Sequence, residues 1–179
     1  MKKYIGAYTA YARKAIKHAD KINCMVCNDG TIYITSGAFM FKMDAFEYAT
    51  IAQPITFCEA GNWTIDRNGK HEENNQFSAE QIFAAAVKET ENVSPMKRSP
   101  IRIDDQSDPL IGFYNTDHSF ASFYKSSYMD SIIPGATIKT KSSSSVAVAY
   151  FGDEPFALIM PTVRAGENAA RAVKAYFTD

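Results

Sequence analysis

Apolar residues at helical spacing predict three helices of three turns or more. In residues 7–20 the apolar side chains fall on one side of a helix. A second helix begins at the capping box Ser78-Ala79-Glu80-Gln81, continues through Phe83 and ends near residue 91. Residues 167–177 have the same spacing. We also predict short helical turns over residues 44–48, where Asp44 is a cap, and over residues 127–133.

The remaining apolar positions form short runs separated by turn residues, which predicts strands joined as hairpins. In the first half these runs cover residues 22–27, 31–35, 38–43, 55–58 and 63–65. In the second half they cover residues 101–103, 110–115, 120–125, 136–141, 146–151 and 156–160. Residues 66–75 lack periodicity and predict an exposed loop. Residues 92–100 contain two prolines and predict a linker.

Strands in hairpin-connected runs predict an α+β fold with antiparallel sheets and helices on one face. We predict a single domain over residues 1–179. It has two similar halves, residues 1–91 and 101–164, followed by the C-terminal helix. The predicted core consists of Tyr8, Ile16, Ile82, Phe83, Val148 and Ile159.

The 179 residues carry a formal net charge of −1, so the whole chain exerts no general attraction on DNA or on an anionic membrane. Three cysteines are too few for a disulfide framework. We find neither a signal-peptide pattern nor an apolar run long enough to span a bilayer. The sequence therefore predicts a cytoplasmic protein without a membrane partner.

Cys24 and Cys27 form a C-x-x-C pair that, with Cys58 and His71, has the ligand types of a Cys3His zinc site. The pair falls in a predicted strand, however, and residues three apart in a strand point to opposite faces. The sequence contains no second C-x-x-C pair. The pattern therefore favours buried thiols and no bound metal.

Asp104, Asp105 and Asp108 resemble part of a loop for a hard cation, but the glycine and glutamate of an EF-hand loop are missing. The histidines are isolated, and His118 falls in a predicted hairpin turn. The sequence has no nucleophile motif and no glycine-rich phosphate loop. We therefore expect neither enzymatic activity nor a cofactor.

The most suggestive polar feature is a basic face on the first predicted helix. Its members are Arg13, Lys14, Lys17 and Lys21. Cations at this spacing fit successive phosphates of a DNA backbone. A solvated helix face with no partner is the alternative explanation.

Two segments resemble the C-terminal domain of a bacterial DNA sliding clamp. The first runs from Phe123-Tyr-Lys-Ser-Ser-Tyr-Met-Asp-Ser-Ile-Ile133 into the strand at Val146-Ala-Val-Ala149. The second is Phe156-Ala-Leu-Ile-Met-Pro-Thr-Val-Arg164, which resembles the apolar Met-Pro signature of the last clamp strand. The similarity covers about 40 residues.

The resemblance implies a clamp-type domain of two β-α-β-β-β halves whose helices face double-stranded DNA. It also implies an apolar groove for a partner peptide at Leu158, Met160 and Pro161. A clamp ring contains six such domains, so this chain would encircle DNA only as a homo-oligomer.

Three functions remain open at the level of the sequence. The first is a non-enzymatic clamp-fold module that associates with DNA without sequence preference, binds a partner protein, or does both. The second is a small effector or inhibitor that binds a host protein and has no DNA role. The third is an unrecognised enzyme that uses the polar residues of 66–75 and 104–118.

Overall fold

A computed structural model describes residues 12, 13, 16, 19–51, 59–66, 68–74, 78–104, 108–129, 135–162, 171 and 175. The chain divides into two compact units, Met1–Ala85 and Ala86–Asp179. Strands in both units pair antiparallel, and the helices are few. The α+β class with antiparallel sheets is therefore confirmed.

The first unit contains five strands in the order β5-β4-β1-β2-β3. They are β1 (Lys21–Val26), β2 (Ile32–Thr35), β3 (Phe39–Met43), β4 (Gly61–Asp66) and β5 (His71–Glu73). Cys24, Ile34 and Phe41 lie opposite one another on neighbouring strands and are fully buried. Residues in register share a face of the sheet, so these side chains form its apolar side. All four residues of β2, which lies between β1 and β3, are buried.

A tight turn joins β1 to β2, as the sequence predicts. The Cys27 amide donates to the Thr31 carbonyl at 2.8 Å, and the Gly30 amide donates to the Cys27 carbonyl at 3.1 Å. Gly30 has a φ of 85°, a left-handed conformation that costs glycine little. The Asp29-Gly30 pair therefore specifies this hairpin.

The short helix α1 (Ala45–Ile51) begins at a reciprocal cap, which confirms the predicted role of Asp44. The Glu47 amide donates to Asp44 Oδ1 at 2.8 Å, and the Asp44 amide donates to Glu47 Oε2 at 3.0 Å. Each side chain thus satisfies a backbone donor that the helix leaves unpaired.

Helix α2 (Ala79–Thr90) begins in the first unit and ends in the second. Its buried residues are Ala79, Phe83, Ala86 and Thr90, a narrow stripe with spacings of four and three residues. The Phe83 ring lies 5.5 Å from the Tyr33 ring of β2, between centroids. Phe83 is therefore the main anchor of α2 in the first unit.

The predicted core is correct at three positions and wrong at one. Phe83, Val148 and Ile159 are buried. Ile82 is 49% exposed, because it lies just beside the narrow buried stripe of α2. Ile16 is half-buried, and Tyr8 lies outside the described residues.

The second unit contains two groups of three strands, in the orders β6-β7-β8 and β11-β10-β9. They are β6 (Lys97–Ile103), β7 (Leu110–Tyr114), β8 (Ala121–Lys125), β9 (Thr137–Lys139), β10 (Ala147–Phe151) and β11 (Glu154–Ile159). The Met96 amide, just before β6, donates to Ile138 of β9 at 2.7 Å. The Thr162 amide, just after β11, donates to Phe123 of β8 at 2.7 Å. These two backbone hydrogen bonds therefore link the two groups of strands.

A buried hydroxyl pair fixes the end of α2 within the second unit. Thr90 Oγ1 lies 2.7 Å from the Tyr150 hydroxyl on β10. Thr90 Oγ1 also lies 3.1 Å from the carbonyl oxygens of Ala86 and Val87. Both residues are buried, so this pair satisfies polar atoms that water does not reach.

Two of the predicted loops contain strands. Residues 71–73 form β5, and β6 begins at Lys97, inside the predicted linker. Both are the end strands of their groups. Polar side chains and proline are common in edge strands because one edge has no strand partner. The signals that indicated loops are therefore also those of an edge strand.

Several predicted elements lie wholly or partly outside the described residues. Ala12, Arg13 and Ile16 are helical within residues 7–20, and Arg171 and Ala175 are helical within residues 167–177. Helix α3 (Ser126–Met129) occupies the start of the predicted turn at 127–133. The predicted strand at 55–58 lies outside the described residues.

We predict that Phe83→Ala lowers the free energy of unfolding by about 3–5 kcal/mol, because it leaves a cavity between α2 and β2. Ile82→Ala at the neighbouring position is the matched control. It should lower the free energy of unfolding by less than about 1 kcal/mol, since half of the Ile82 side chain is already in water. Urea denaturation of both variants measures the difference. Equal destabilisation of the two variants would contradict the packing of α2 described above.

Candidate functional site

Arg13 is the best-placed residue of the predicted basic face. It is helical and exposed, whereas its neighbour Ala12 is fully buried. At these two positions the N-terminal helical segment thus buries an apolar side chain and exposes a cationic one. Lys14 and Lys17 lie outside the described residues.

Lys21 does not belong to the helix, which corrects that part of the prediction. It is the first residue of β1 and lies opposite Asp66 of β4. It also lies near Glu72, whose pKa is lowered by the hydrogen bond and charge of Lys70 and, to a smaller extent, by the charge of Lys21. Lys21 is therefore close to carboxylates, and we remove it from the basic face.

Only one of the three predicted groove residues is accessible. Leu158 pairs with Val148 in the β10–β11 ladder and is 3% exposed, and Pro161 is also buried. Met160 lies just after β11 and is 47% exposed. The hydrogen bond from the Thr162 amide to the Phe123 carbonyl holds Thr162 beside β8. The candidate partner surface is thus reduced to the Met160 side chain and its surroundings.

The two cysteines of the C-x-x-C pair occupy different environments. Cys24 is fully buried on the apolar face of β1, and Cys27 follows the end of that strand. Burial raises the pKa of the Cys27 thiol, and the charges of Glu80 and Asp29 raise it further. A thiol with a raised pKa is a poor nucleophile at neutral pH.

A metal centre finds no support in the part of the chain that the structure describes. No three or more histidine, cysteine, aspartate or glutamate side chains in that part are grouped closely enough to hold an ion. Cys58, which belongs to the Cys3His set considered above, lies outside it. His71 is exposed on β5, where its ring contacts that of Trp63 at 5.3 Å between centroids.

Asp108 has a structural role that the sequence did not reveal. Its Oδ1 accepts from Ser126 Oγ at 2.9 Å and from the Ser127 amide at 3.0 Å, and its Oδ2 accepts from Ser127 Oγ at 2.5 Å. Burial raises the pKa of Asp108, but these bonds and the charge of Lys125 outweigh it and lower the pKa. The carboxylate therefore caps α3 from a distant part of the chain.

His118 lies in the β7–β8 turn, as the sequence predicts. Its φ is 57°, a left-handed conformation uncommon for a residue with a side chain. Asn115 stabilises the turn by donating to Ser119 Oγ at 2.8 Å and accepting from the Phe120 amide at 3.1 Å. The His118 ring contacts that of Tyr114. These contacts give His118 a role in the turn.

The buried hydroxyls of Ser122 and Thr140 lie near that of Tyr124 in the second unit. Tyr124, Ser122 and Thr140 are all buried, and burial raises the pKa of Tyr124 to about 12. Thr140 Oγ1 lies 3.0 Å from the Ser145 carbonyl oxygen, and Ser122 Oγ donates to the Ser142 carbonyl at 3.3 Å. A phenol with a pKa this high stays protonated at neutral pH and is poorly suited to act as a general base.

No protein-family model, curated protein sequence or solved structure matches this chain.

Within the described ranges, no helix is both long and apolar enough to cross a bilayer.

We predict that Asp108 makes unfolding pH-dependent. The pKa of Asp108 in the folded chain is below its value of about 3.9 in the unfolded chain. Its ionised form therefore contributes fully to the free energy of unfolding above about pH 3.9, and this contribution is lost as the pH falls through the folded-state pKa. Asp108→Asn should therefore lower the free energy of unfolding by about 1 kcal/mol at neutral pH and by progressively less in acid. Urea denaturation across the acid range measures this difference.

Asp153→Asn is the control, because Asp153 is exposed in the turn between β10 and β11. The same acid dependence in both variants would mean that the hydrogen bonds to Asp108 do not stabilise α3.

Proposed function

We propose that this chain is a non-enzymatic, clamp-like module that associates with double-stranded DNA through the cationic side of its N-terminal helical segment. The observation that carries this proposal is the exposure of Arg13 beside the fully buried Ala12. The helical spacing of the sequence assigns Lys17 to the same side as Arg13 and assigns Lys14 beside them, one turn from Lys17. Such cations contact phosphates without reading bases.

The order of elements supports the clamp-like part of the proposal. Helical residues near the N-terminus precede three strands, a short helix and two strands. Helix α2 then precedes three strands, the short helix α3 and three further strands. A helix followed by three antiparallel strands thus occurs twice, as in the two halves that the resemblance implies.

The roles of the polar residues support a function without catalysis. Asp108 caps a helix, and Asn115 stabilises the turn that contains His118. The raised pKa of Tyr124 and that of Cys27 keep both groups protonated at neutral pH. These side chains stabilise the fold, and none of them has the activation that general acid–base or nucleophilic catalysis needs.

Binding of a partner protein is the second candidate, and the exposure of Met160 favours it. Methionine is common at protein-binding surfaces because its flexible thioether adapts to varied partners, and Met160 is 47% exposed. This function would not depend on the cations of the N-terminal segment. A salt series on DNA binding therefore distinguishes the two candidates.

We predict that the chain binds labelled duplexes of two unrelated sequences with equal affinity at low salt, and that the affinity falls steeply as salt rises. Arg13→Gln/Lys14→Gln/Lys17→Gln should weaken binding and reduce the slope of log K against log salt by about 0.9 for each phosphate that is no longer neutralised. Fluorescence anisotropy measures both quantities.

The matched control removes the same number of charges at exposed lysines elsewhere, Lys70→Gln/Lys97→Gln/Lys141→Gln. It should retain the slope of the unmodified chain. Absence of DNA binding at low salt would exclude the DNA role. Equal weakening in the two variants would show that net charge, and not this surface, determines binding.

A further inference from the structure

The turn between β4 and β5 contains the one Asn-Gly pair in the sequence, Asn68-Gly69. Asn68 is exposed, and Gly69 has a φ of 78°. The Gly69 amide donates to the Asp66 carbonyl at 3.0 Å, which closes a four-residue turn. The pair is thus accessible to solvent but held in a hydrogen-bonded loop.

An Asn-Gly pair can lose its side-chain amide without an enzyme. The backbone nitrogen of the glycine gives up its proton and attacks the asparagine side-chain carbonyl carbon. A ring imide forms as ammonia leaves, and one water molecule then opens the ring to aspartate or isoaspartate. Glycine permits this attack because it has no Cβ to obstruct it and rotates freely. The asparagine side chain becomes a carboxylate, or the backbone gains a methylene group.

The structure shows what opposes this reaction in the folded chain. The attacking nitrogen is that of Gly69, and its proton is held by the Asp66 carbonyl. Asp66 Oδ1 also accepts from the Asn68 amide at 2.8 Å and from the Lys70 amide at 3.0 Å. The Asp66 amide completes the turn by donating to the Lys70 carbonyl at 3.0 Å. Asp66 therefore binds the backbone on both sides of the reacting bond.

We propose that Asn68 is a site of spontaneous deamidation and that Asp66 sets its rate by holding the β4–β5 turn closed. Attack requires the turn to open, because the hydrogen-bonded Gly69 amide is neither deprotonated nor oriented toward the side chain. Opening is feasible because the residues of β5 are all exposed and this strand is at the end of the sheet. The reaction replaces an amide by a negative charge beside Asp66, and it does not depend on the proposed DNA function.

The test is a time course of the full folded chain at mildly alkaline pH. Peptide mapping by mass spectrometry after cleavage at glutamate measures conversion at Asn68, and ion exchange separates the more acidic product. We expect slow conversion at Asn68 and none at the exposed Asn92, whose neighbour Val93 is β-branched and obstructs attack. Asp66→Ala should accelerate conversion several-fold.

Asp29→Ala is the matched control, because Asp29 Oδ1 accepts from the Thr31 amide in a hairpin turn without an Asn-Gly pair. It should leave the rate at Asn68 unchanged. Equal rates in the Asp66→Ala and Asp29→Ala chains would overturn the role of Asp66. An intact Asn68 in every folded chain, while the same chain converts in urea, would overturn the proposed site. Equal rates in the folded and unfolded chain would show that the turn offers no protection.

Discussion

Packing of the Phe83 ring against Tyr33 determines which side of α2 faces water in the first unit. Phe83 is 3% exposed and belongs to a stripe with a spacing of four and three residues. Within the second unit Thr90 is also buried, and its hydroxyl lies 2.7 Å from that of Tyr150 on β10. The same geometry leaves Ile82 and the charged residues Lys88 and Glu89 in water. One aromatic anchor therefore defines both the core of α2 and its exposed surface.

Most of the polar side chains that suggested chemistry are used to close turns and cap helices. Asp108 holds α3, Asn115 organises the turn at His118, and Asp66 organises the turn at Gly69. Each satisfies backbone amides that regular structure leaves unpaired, which is the usual task of aspartate and asparagine outside helices and sheets. The functional proposal therefore rests on a different feature, the exposure of Arg13 beside the buried Ala12 in the N-terminal helical segment.

The elements with strong local signals were predictable. The Asp29-Gly30 turn, the Asp44 cap and the stripe through Phe83 are specified by neighbouring residues, and the structure confirms them. Strands β5 and β6 were missed because edge strands tolerate the polar residues and prolines that also mark loops. The Thr90–Tyr150 and Asp108–Ser127 bonds join residues far apart in the chain, so no local pattern identifies them. Lys21 was misplaced because β1 begins at the residue directly after the predicted helix 7–20.

The most direct measurement of the central claim is backbone amide chemical-shift mapping of the chain with a short DNA duplex at low salt. We expect the largest shifts at Ala12, Arg13, Ile16 and their neighbours, and little change at the amides of Met160, Thr162 and Phe123. Largest shifts along Met160–Thr162, or no shifts anywhere, would contradict DNA association through the N-terminal helical segment.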